Sequence, residues 1–265
     1  MTGGRDRRGG AAAAEVRPRK DLGQHFLVDE NILRVIERLA ELAGADVVLE
    51  VGPGRGVLTR FLDERVAFVH AVEVDRRLEP YLTGLARTRL HWADALGLDL
   101  AALEPAPSKL VANLPYNVAT PLVVESLQVD ALTLWCVLVQ REVAERFFAA
   151  PSTKAYGAVS VLVQLAAERI GFHPVSRDVF RPRPKVTSAL VAFRRTGPAA
   201  PRDVKRVVTA AFSHRRKTIV NALALAGAAS RERAAAALDA IGRAPDTRAE
   251  ALAPAEFVAL AAALA

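Results

Sequence analysis

The tetrapeptide Asn113-Leu114-Pro115-Tyr116 carries residues suited to chemistry on an aromatic amine. The lone pair of such an amine is delocalised into its ring and must be freed before the nitrogen can attack a methyl carbon. The Asn113 side-chain oxygen and the Leu114 carbonyl could hold the two N–H bonds, and Pro115 would fix the direction of that carbonyl. Tyr116 offers a ring face on which a base can stack. The pattern predicts methylation of a base amino group, with a plain strand-ending turn as the alternative.

A glycine-rich turn with Gly52, Gly54 and Gly56 follows directly on the apolar run at 47–51. After the first strand of a doubly wound sheet, such a turn lets a ligand approach the backbone closely. Its Gly-x-Gly-x-Gly spacing differs from the dinucleotide Gly-x-Gly-x-x-Gly pattern, which argues against an NAD enzyme. Alone, the turn is also compatible with a tight bend that binds nothing.

Acidic residues end the next two apolar runs. Glu73 lies about twenty positions past the glycines, where an acid can bind both ribose hydroxyls. Asp94 is predicted to accept a hydrogen bond from the amino group of an adenine, with an ordinary N-cap as the alternative. Together with the amine chemistry expected at Asn113, these acids predict S-adenosylmethionine as the cofactor.

The elements that must position these residues alternate along the chain. Apolar runs predict buried strands at 47–51, 68–74, 110–113 and 132–139, and helical spacing predicts helices at 58–64, 77–85, 120–127 and 142–148. This alternation predicts an α/β, Rossmann-like fold whose mainly parallel sheet is covered on both faces. A further helix is expected at 156–168, followed by antiparallel edge strands at 169–174 and 188–195.

The chain divides into three predicted parts by composition. Residues 1–16 form a flexible basic tail, and residues 17–196 form the catalytic, cofactor-binding domain. Beyond a linker at 196–201, residues 202–265 form a small helical domain of about four helices. The helical pattern there is broken at Gly227, Gly242, Pro245 and Pro254.

Composition limits the classes of function. The 265 residues are 51% hydrophobic and carry a formal net charge of +7, which favours a polyanionic partner, although a basic protein without one is the alternative. The one cysteine, Cys136, lies in an apolar run, so no disulfide framework and no metal site is predicted. No stretch approaches the roughly 20 apolar residues that span a bilayer, and no secretory signal is visible. A cytoplasmic protein is expected.

Several ordered segments resemble the ribosomal RNA adenine N6-dimethyltransferases, the family of KsgA-type and Erm-type enzymes. They are RKDLGQHFL (19–27), LEVGPG (49–54), NLPYNVATP (113–121), VQREVAER (139–146) and FRPRPKV (180–186). The resemblance covers roughly residues 17–225. Two more segments, YGAVSV (156–161) and SHRRKT (213–218), are more similar to the KsgA-type enzymes, which act on the small ribosomal subunit.

The resemblance implies a fold of about seven strands with a C-terminal helical domain, and dimethylation of two adjacent adenosines near the 3′ end of 16S rRNA. It implies that His25 and Leu27 contact the cofactor, together with Gly52, Glu73, Asp94 and Asn113. Phe180 would be a second aromatic that sandwiches the flipped base. His25 stands where many members have Asn, and a capping or packing role is its alternative.

Basic positions flank the segments expected to meet RNA, and their alternative is an ordinary solvated face. The predicted phosphate contacts are Arg19, Lys20, Arg181, Arg183, Lys185, Arg215, Arg216 and Lys217. The expected partner is small-subunit rRNA or the immature 30S subunit, bound by a monomer. The alternatives are an Erm-type enzyme acting on 23S rRNA, an assembly factor whose binding matters more than its catalysis, and a DNA adenine methyltransferase.

Overall fold

The computed structural model describes residues 16–19 and 22–265. Apart from Val16, the predicted N-terminal tail lies outside the described residues, and so does the predicted phosphate contact Lys20.

The described part of the chain contains nine strands and nine α-helices. The strands are β1 (Phe26–Leu27), β2 (Val47–Val51), β3 (Phe68–Glu73), β4 (Thr88–Trp92), β5 (Lys109–Asn113), β6 (Leu134–Gln140), β7 (Ala167–Val175), β8 (Phe180–Arg181) and β9 (Ser188–Arg195). The helices are α1 (Glu30–Leu39), α2 (Val57–Asp63), α3 (Ala119–Ser126), α4 (Arg141–Phe147), α5 (Ala158–Ala166), α6 (Arg202–Phe212), α7 (Ile219–Leu225), α8 (Arg231–Ala240) and α9 (Pro254–Ala263). None of these helices is long and apolar enough to cross a membrane.

Seven strands form one sheet in the order β4-β3-β2-β5-β6-β9-β7. The pairs among β4, β3, β2, β5 and β6 are parallel, whereas β9 runs antiparallel to both β6 and β7. The mainly parallel α/β sheet expected from the alternating pattern is therefore confirmed. Because β2 and β5 are neighbours, the turn after β2 and the tetrapeptide after β5 lie side by side at the carboxyl edge of the sheet.

Apolar side chains fill both faces of this sheet. Leu49 and Val51 belong to a core that includes residues of α3, α4 and α5, whereas Val48 belongs to a second core with α1 and α2. Since every second residue of β2 enters the same core, the central strand is apolar on both sides. Helices on the two faces thus hold the site-bearing ends of the strands rigid.

A third core joins the C-terminal helices to α5. Val161 and Leu162 of α5 pack in one cluster with Val208 of α6 and Leu260 of α9. The Tyr156 hydroxyl also donates to the Leu252 carbonyl at 2.8 Å. The C-terminal helical region is confirmed, while the division into domains at 17–196 and 202–265 stays a prediction.

Four local expectations were wrong. The helix expected at 77–85 is a short 3-10 helix, Arg76–Tyr81, because Pro80 interrupts it and cannot donate a backbone hydrogen bond. The helix expected to reach 168 ends at Ala166, because β7 begins at the next residue, Ala167. Strand β9 lies inside the sheet instead of at its edge, since β6 and β7 flank it. Pro254 begins α9 instead of breaking it, as its missing N–H costs nothing in a first turn.

Candidate active site

A cleft opens at the carboxyl edge of β2, β3, β4 and β5, and the segment at 22–27, which contains β1, also lines it. The cleft brings together ten of the predicted site residues: His25, Leu27, Gly52, Gly54, Glu73, Asp94, Asn113, Leu114, Pro115 and Tyr116. These residues come from five separate segments of the chain. Their convergence follows from the parallel strand order, which places successive strand ends at one edge.

The glycine turn after β2 excludes side chains for two reasons: its backbone conformation favours glycine, and neighbouring side chains lie close to it. Gly52, Gly54 and Gly56 have φ of 75°, 58° and 73°, in the left-handed region that favours glycine. A Cβ on Gly54 would lie 2.9 Å from Cδ1 of Phe26, and one on Gly52 would lie 3.2 Å from Cδ of Pro115. The turn therefore presents bare backbone to the cleft between β1 and the tetrapeptide.

Glu73 ends β3 as an acid held by three backbone donors. The Gly54 N–H donates to Oε2 at 3.1 Å, and the N–H groups of Val74 and Asp75 donate to Oε1 at 3.0 and 2.9 Å. Burial raises the pKa of this carboxyl, with a further contribution from the neighbouring Asp75. The hydrogen bonds fix the carboxylate at the cleft wall, where it could accept from ribose hydroxyls.

Asp94 lies exposed at the end of the cleft beyond β4. Its Oδ1 accepts from the Leu96 N–H at 3.0 Å, so the carboxylate caps a local turn. The capping role given as the alternative for Asp94 is thus present. Asp94 also lines the cleft, which is compatible with an adenine contact as well. That contact stays a prediction.

Glu50 is a site residue that sequence reasoning left without a role. It lies in β2 with 1% exposure and lines the cleft, and its Oε2 is buried without a hydrogen-bond partner. Burial, aided by repulsion from Glu73, raises its pKa to about 8. A buried acceptor of this kind is costly unless a donor or a cation meets it. The signal in the sequence was an acid inside an otherwise apolar buried strand.

The side chain of Asn113 is oriented by the backbone of His25, the residue directly before β1. Its Nδ2 donates to the His25 carbonyl at 3.0 Å. Because a carbonyl can only accept, this bond identifies the amide nitrogen and leaves Oδ1 to accept from a ligand. The Leu114 N–H donates to the Leu138 carbonyl of β6 at 3.0 Å, so the sheet fixes the start of the turn.

Tyr116 is half-buried and held on two sides. Its hydroxyl lies 2.6 Å from Oγ of Ser188, and its ring centroid lies 5.6 Å from that of His25. His25 in turn donates from Nδ1 to the Pro182 carbonyl at 2.8 Å. Phe180 lies elsewhere: it is fully buried, pairs with Leu27 across the β1–β8 ribbon, and does not line the cleft. Its stacking role stays a prediction.

The predicted phosphate contacts differ in the hydrogen bonds and ion pairs that they form within the protein. Arg215 donates to the carbonyls of Thr153 and Lys154 and pairs with Glu250, and Arg183 pairs with Asp178. Arg19 and Arg181 are exposed. Arg181 belongs to β8, and the Arg19 N–H donates to Oε1 of Gln24, two residues before β1. Among the predicted contacts that the structure describes, four exposed cations have no ion pair within the described residues: Arg181, Lys185, Arg216 and Lys217.

Comparison with known proteins decides the family. The model of the family described as ribosomal RNA adenine dimethylase matches residues 16–265. The chain belongs to this family. A ribosomal RNA small subunit methyltransferase A from Rubrobacter xylanophilus is 49% identical, and the match covers 92% of this chain and 94% of that protein. The protein of the same name from Thermobifida fusca is 44% identical over 95% of this chain and 92% of its own.

Solved structures agree with this assignment. The 23S rRNA methyltransferase ErmE is 28% identical with a TM-score of 0.60, covering 90% of this dimethylase and 99% of ErmE. A dimethyladenosine transferase from Plasmodium falciparum has a TM-score of 0.71 over 89% of this chain and 96% of its own. At 21% identity, the second likeness supports the fold alone.

The dimethylase uses S-adenosylmethionine, and its cleft fits that cofactor. The cofactor offers cationic groups and a ribose. The cleft offers the buried carboxyl of Glu50, whose Oε2 has no hydrogen-bond partner, the strand-end carboxylate of Glu73 and the bare backbone at Gly52 and Gly54. Their chemistry matches an adenosyl ligand with a positively charged tail.

Proposed function

We propose that this methyltransferase dimethylates N6 of two adjacent adenosines near the 3′ end of 16S rRNA, acting as a monomer on the immature small subunit. Relatives that match more than nine-tenths of the chain are named for the small ribosomal subunit, which supports this target over 23S rRNA. The observation that carries the reaction type is the hydrogen bond from Asn113 Nδ2 to the His25 carbonyl, which leaves Oδ1 of Asn113 to accept from an amine.

Bound S-adenosylmethionine supplies an electrophilic methyl group. Gly52 and Gly54 would hold it through their backbone, Glu73 through the ribose hydroxyls and Asp94 through the adenine. His25 and Leu27 would contact it from the N-terminal segment that lines the cleft. These assignments follow from the shared cleft and from the chemistry of each group.

Asn113 and the Leu114 carbonyl would accept hydrogen bonds from the two N–H groups of the target amine. Both bonds draw the nitrogen out of conjugation with the base and aim its lone pair along one line. The proton released after transfer can pass to water, because an N-methylated aromatic ammonium is acidic. Alignment and exclusion of water would therefore supply most of the rate.

The target adenosine must leave any stack to reach Asn113, which is least costly for an unpaired base. Tyr116 would receive one face of that base. Phe180 would contact the other face only if the β1–β8 ribbon moved in the complex, since its ring is fully buried. Exposed cations near the ribbon and at 216–217 would bind phosphates and set the register.

Asn113→Ala tests the proposal. We expect methyl incorporation into small-subunit RNA or immature 30S particles to fall by at least about 10²-fold, the effect of removing one well-placed polar group. Asn31→Ala, at an exposed position of α1, is the matched control and should retain the wild-type rate. Wild-type activity in the Asn113 variant would overturn the mechanism.

Mapping of dimethyladenosine distinguishes the targets. Incubation of the wild-type protein with both ribosomal RNAs should modify two adjacent adenosines in 16S rRNA. Modification of 23S rRNA instead would identify an Erm-type enzyme. If the Asn113 variant bound immature subunits and supported their assembly normally, binding would outweigh catalysis in the cell.

A further inference from the structure

Ser188 is a buried hydroxyl just behind the cleft. It is the first residue of β9, where it pairs with Gln140 of β6 and Val175 of β7, and it is 1% exposed. It does not line the cleft. Its Oγ nevertheless lies 2.6 Å from the Tyr116 hydroxyl, which comes from a segment 72 positions earlier.

This hydrogen bond acts on one particular motion of Tyr116. A tyrosine hydroxyl lies on the axis about which the ring flips, so a bond to it does not restrain the flip. It does restrain the swing of the whole ring about the Cα–Cβ bond, which would carry the hydroxyl away from Ser188. The ring plane is restrained separately, by the His25 ring at 5.6 Å and a 30° tilt. Two contacts therefore fix two different degrees of freedom.

We propose that Ser188 is a positioning residue of the methyl transfer: it holds the Tyr116 ring at the distance from Asn113 at which a stacked adenine presents its amino group in line. This inference rests on the proposed function. Ser188 is suited to the task because it is anchored on both sides by the sheet, so the position of its Oγ is as rigid as the core.

The consequence is a loss of alignment without a loss of affinity. RNA affinity arises mainly from phosphate contacts, and Ser188 does not line the cleft in which the cofactor would lie. A ring that swings freely would still offer a stacking face but would let the base drift from the in-line geometry. Misplacement of this kind lowers kcat far more than it changes KM.

A double-mutant cycle tests the proposal. The variants are Ser188→Ala, Tyr116→Phe and the double variant, each assayed with the full chain on small-subunit RNA. We expect each single variant and the double variant to lower kcat by the same factor, about three- to tenfold, because each removes the same hydrogen bond. The KM for RNA and the Kd for S-adenosylmethionine by calorimetry should stay within about twofold of wild type. Ser188→Thr, which keeps the hydroxyl, should recover most of kcat.

Ser126→Ala provides a matched control. Ser126 is also a fully buried serine bonded to an aromatic side chain, with Trp135 Nε1 donating to its Oγ at 2.8 Å, but it lies away from the cleft. Its loss should lower the melting temperature and leave kcat unchanged. A general structural effect would instead lower kcat in both serine variants.

Three outcomes would overturn the role of Ser188. They are a wild-type kcat in Ser188→Ala, a double variant whose loss is the product of the single losses, and a cofactor affinity that falls in parallel with kcat. The wild-type protein in the same assay tests the proposed function separately. If the wild-type protein methylates no ribosomal RNA, the proposed target is wrong, whatever the double-mutant cycle shows.

Discussion

Among single residues, Glu50 and Glu73 are two buried acids of the cleft with different hydrogen bonding. Glu73 is stabilised by three backbone donors, whereas Oε2 of Glu50 has no partner. The protein therefore carries one acid prepared for neutral hydroxyls and another that a cationic ligand would stabilise. In the cofactor-free protein this buried acid avoids the cost of a buried charge by keeping its proton, and a cationic ligand would stabilise the charged form.

Glu50→Gln should change how stability depends on pH. Burial raises the Glu50 pKa from 4.5 to about 8 in the folded protein, whereas the unfolded chain loses this proton near its ordinary value. The folded state thus binds more protons between these two values, so the free energy of unfolding falls as pH rises through that window. Glutamine has no proton to lose, so the variant should gain on the order of 3 kcal/mol over wild type between pH 4.5 and pH 8.5.

Denaturant titrations of the cofactor-free protein at both pH values would measure this difference. Glu168→Gln, at an exposed position of β7, is the control and should leave the difference between the two pH values unchanged. A Glu50 variant whose stability followed the wild-type curve in parallel would show that the carboxyl is ionised in the empty cleft.

At the scale of elements, the turn between β2 and α2 determines how closely β1 can approach the cleft. Gly54→Ala should destabilise the protein and lower the affinity for S-adenosylmethionine at least tenfold, because its Cβ would lie 2.9 Å from the Phe26 ring. Gly84→Ala separates this clash from backbone strain, since Gly84 also has a positive φ, of 74°, but faces open space. We expect the Gly54 variant to lose about 1–2 kcal/mol more than the Gly84 variant in urea unfolding. Equal losses, with unchanged cofactor affinity, would mean that the approach of β1 is not essential.

Burial and pairing partners determine which strands could be predicted from the sequence. The central strands were predictable because each is a continuous apolar run that signals burial on both faces. Strands β1 and β8 were not, since each has two residues and exists through pairing with the other, more than 150 positions away. The bond between Tyr116 and Ser188 is hidden for the same reason: nothing near Ser188 in the sequence distinguishes it from an ordinary core serine.

Across the whole protein, which has a net charge of +7, the basic side chains differ in whether other parts of the chain already bind them. Arg215 and Arg216 are adjacent, yet Arg215 joins the turn before α7 to the carbonyls at 153 and 154 and to Glu250. Arg216 and Lys217 are exposed, and no ion pair engages them within the described residues. The sequence could only predict a basic cluster, because tertiary contacts decide which of its members are available to RNA.

Two variants should therefore behave differently with RNA. Arg216→Ala combined with Lys217→Ala should weaken binding to small-subunit RNA and reduce the slope of log K against log salt concentration by about one per phosphate contact, with stability unchanged. Arg215→Ala should instead lower the melting temperature, because three acceptors lose their donor. Arg231→Ala, an exposed arginine on α8, is the matched control and should change neither quantity. Binding titrations at several salt concentrations, paired with thermal melts, measure both. An unchanged slope in the Arg216/Lys217 variant would remove this surface from the RNA interface and leave the cations beside the β1–β8 ribbon as the phosphate contacts.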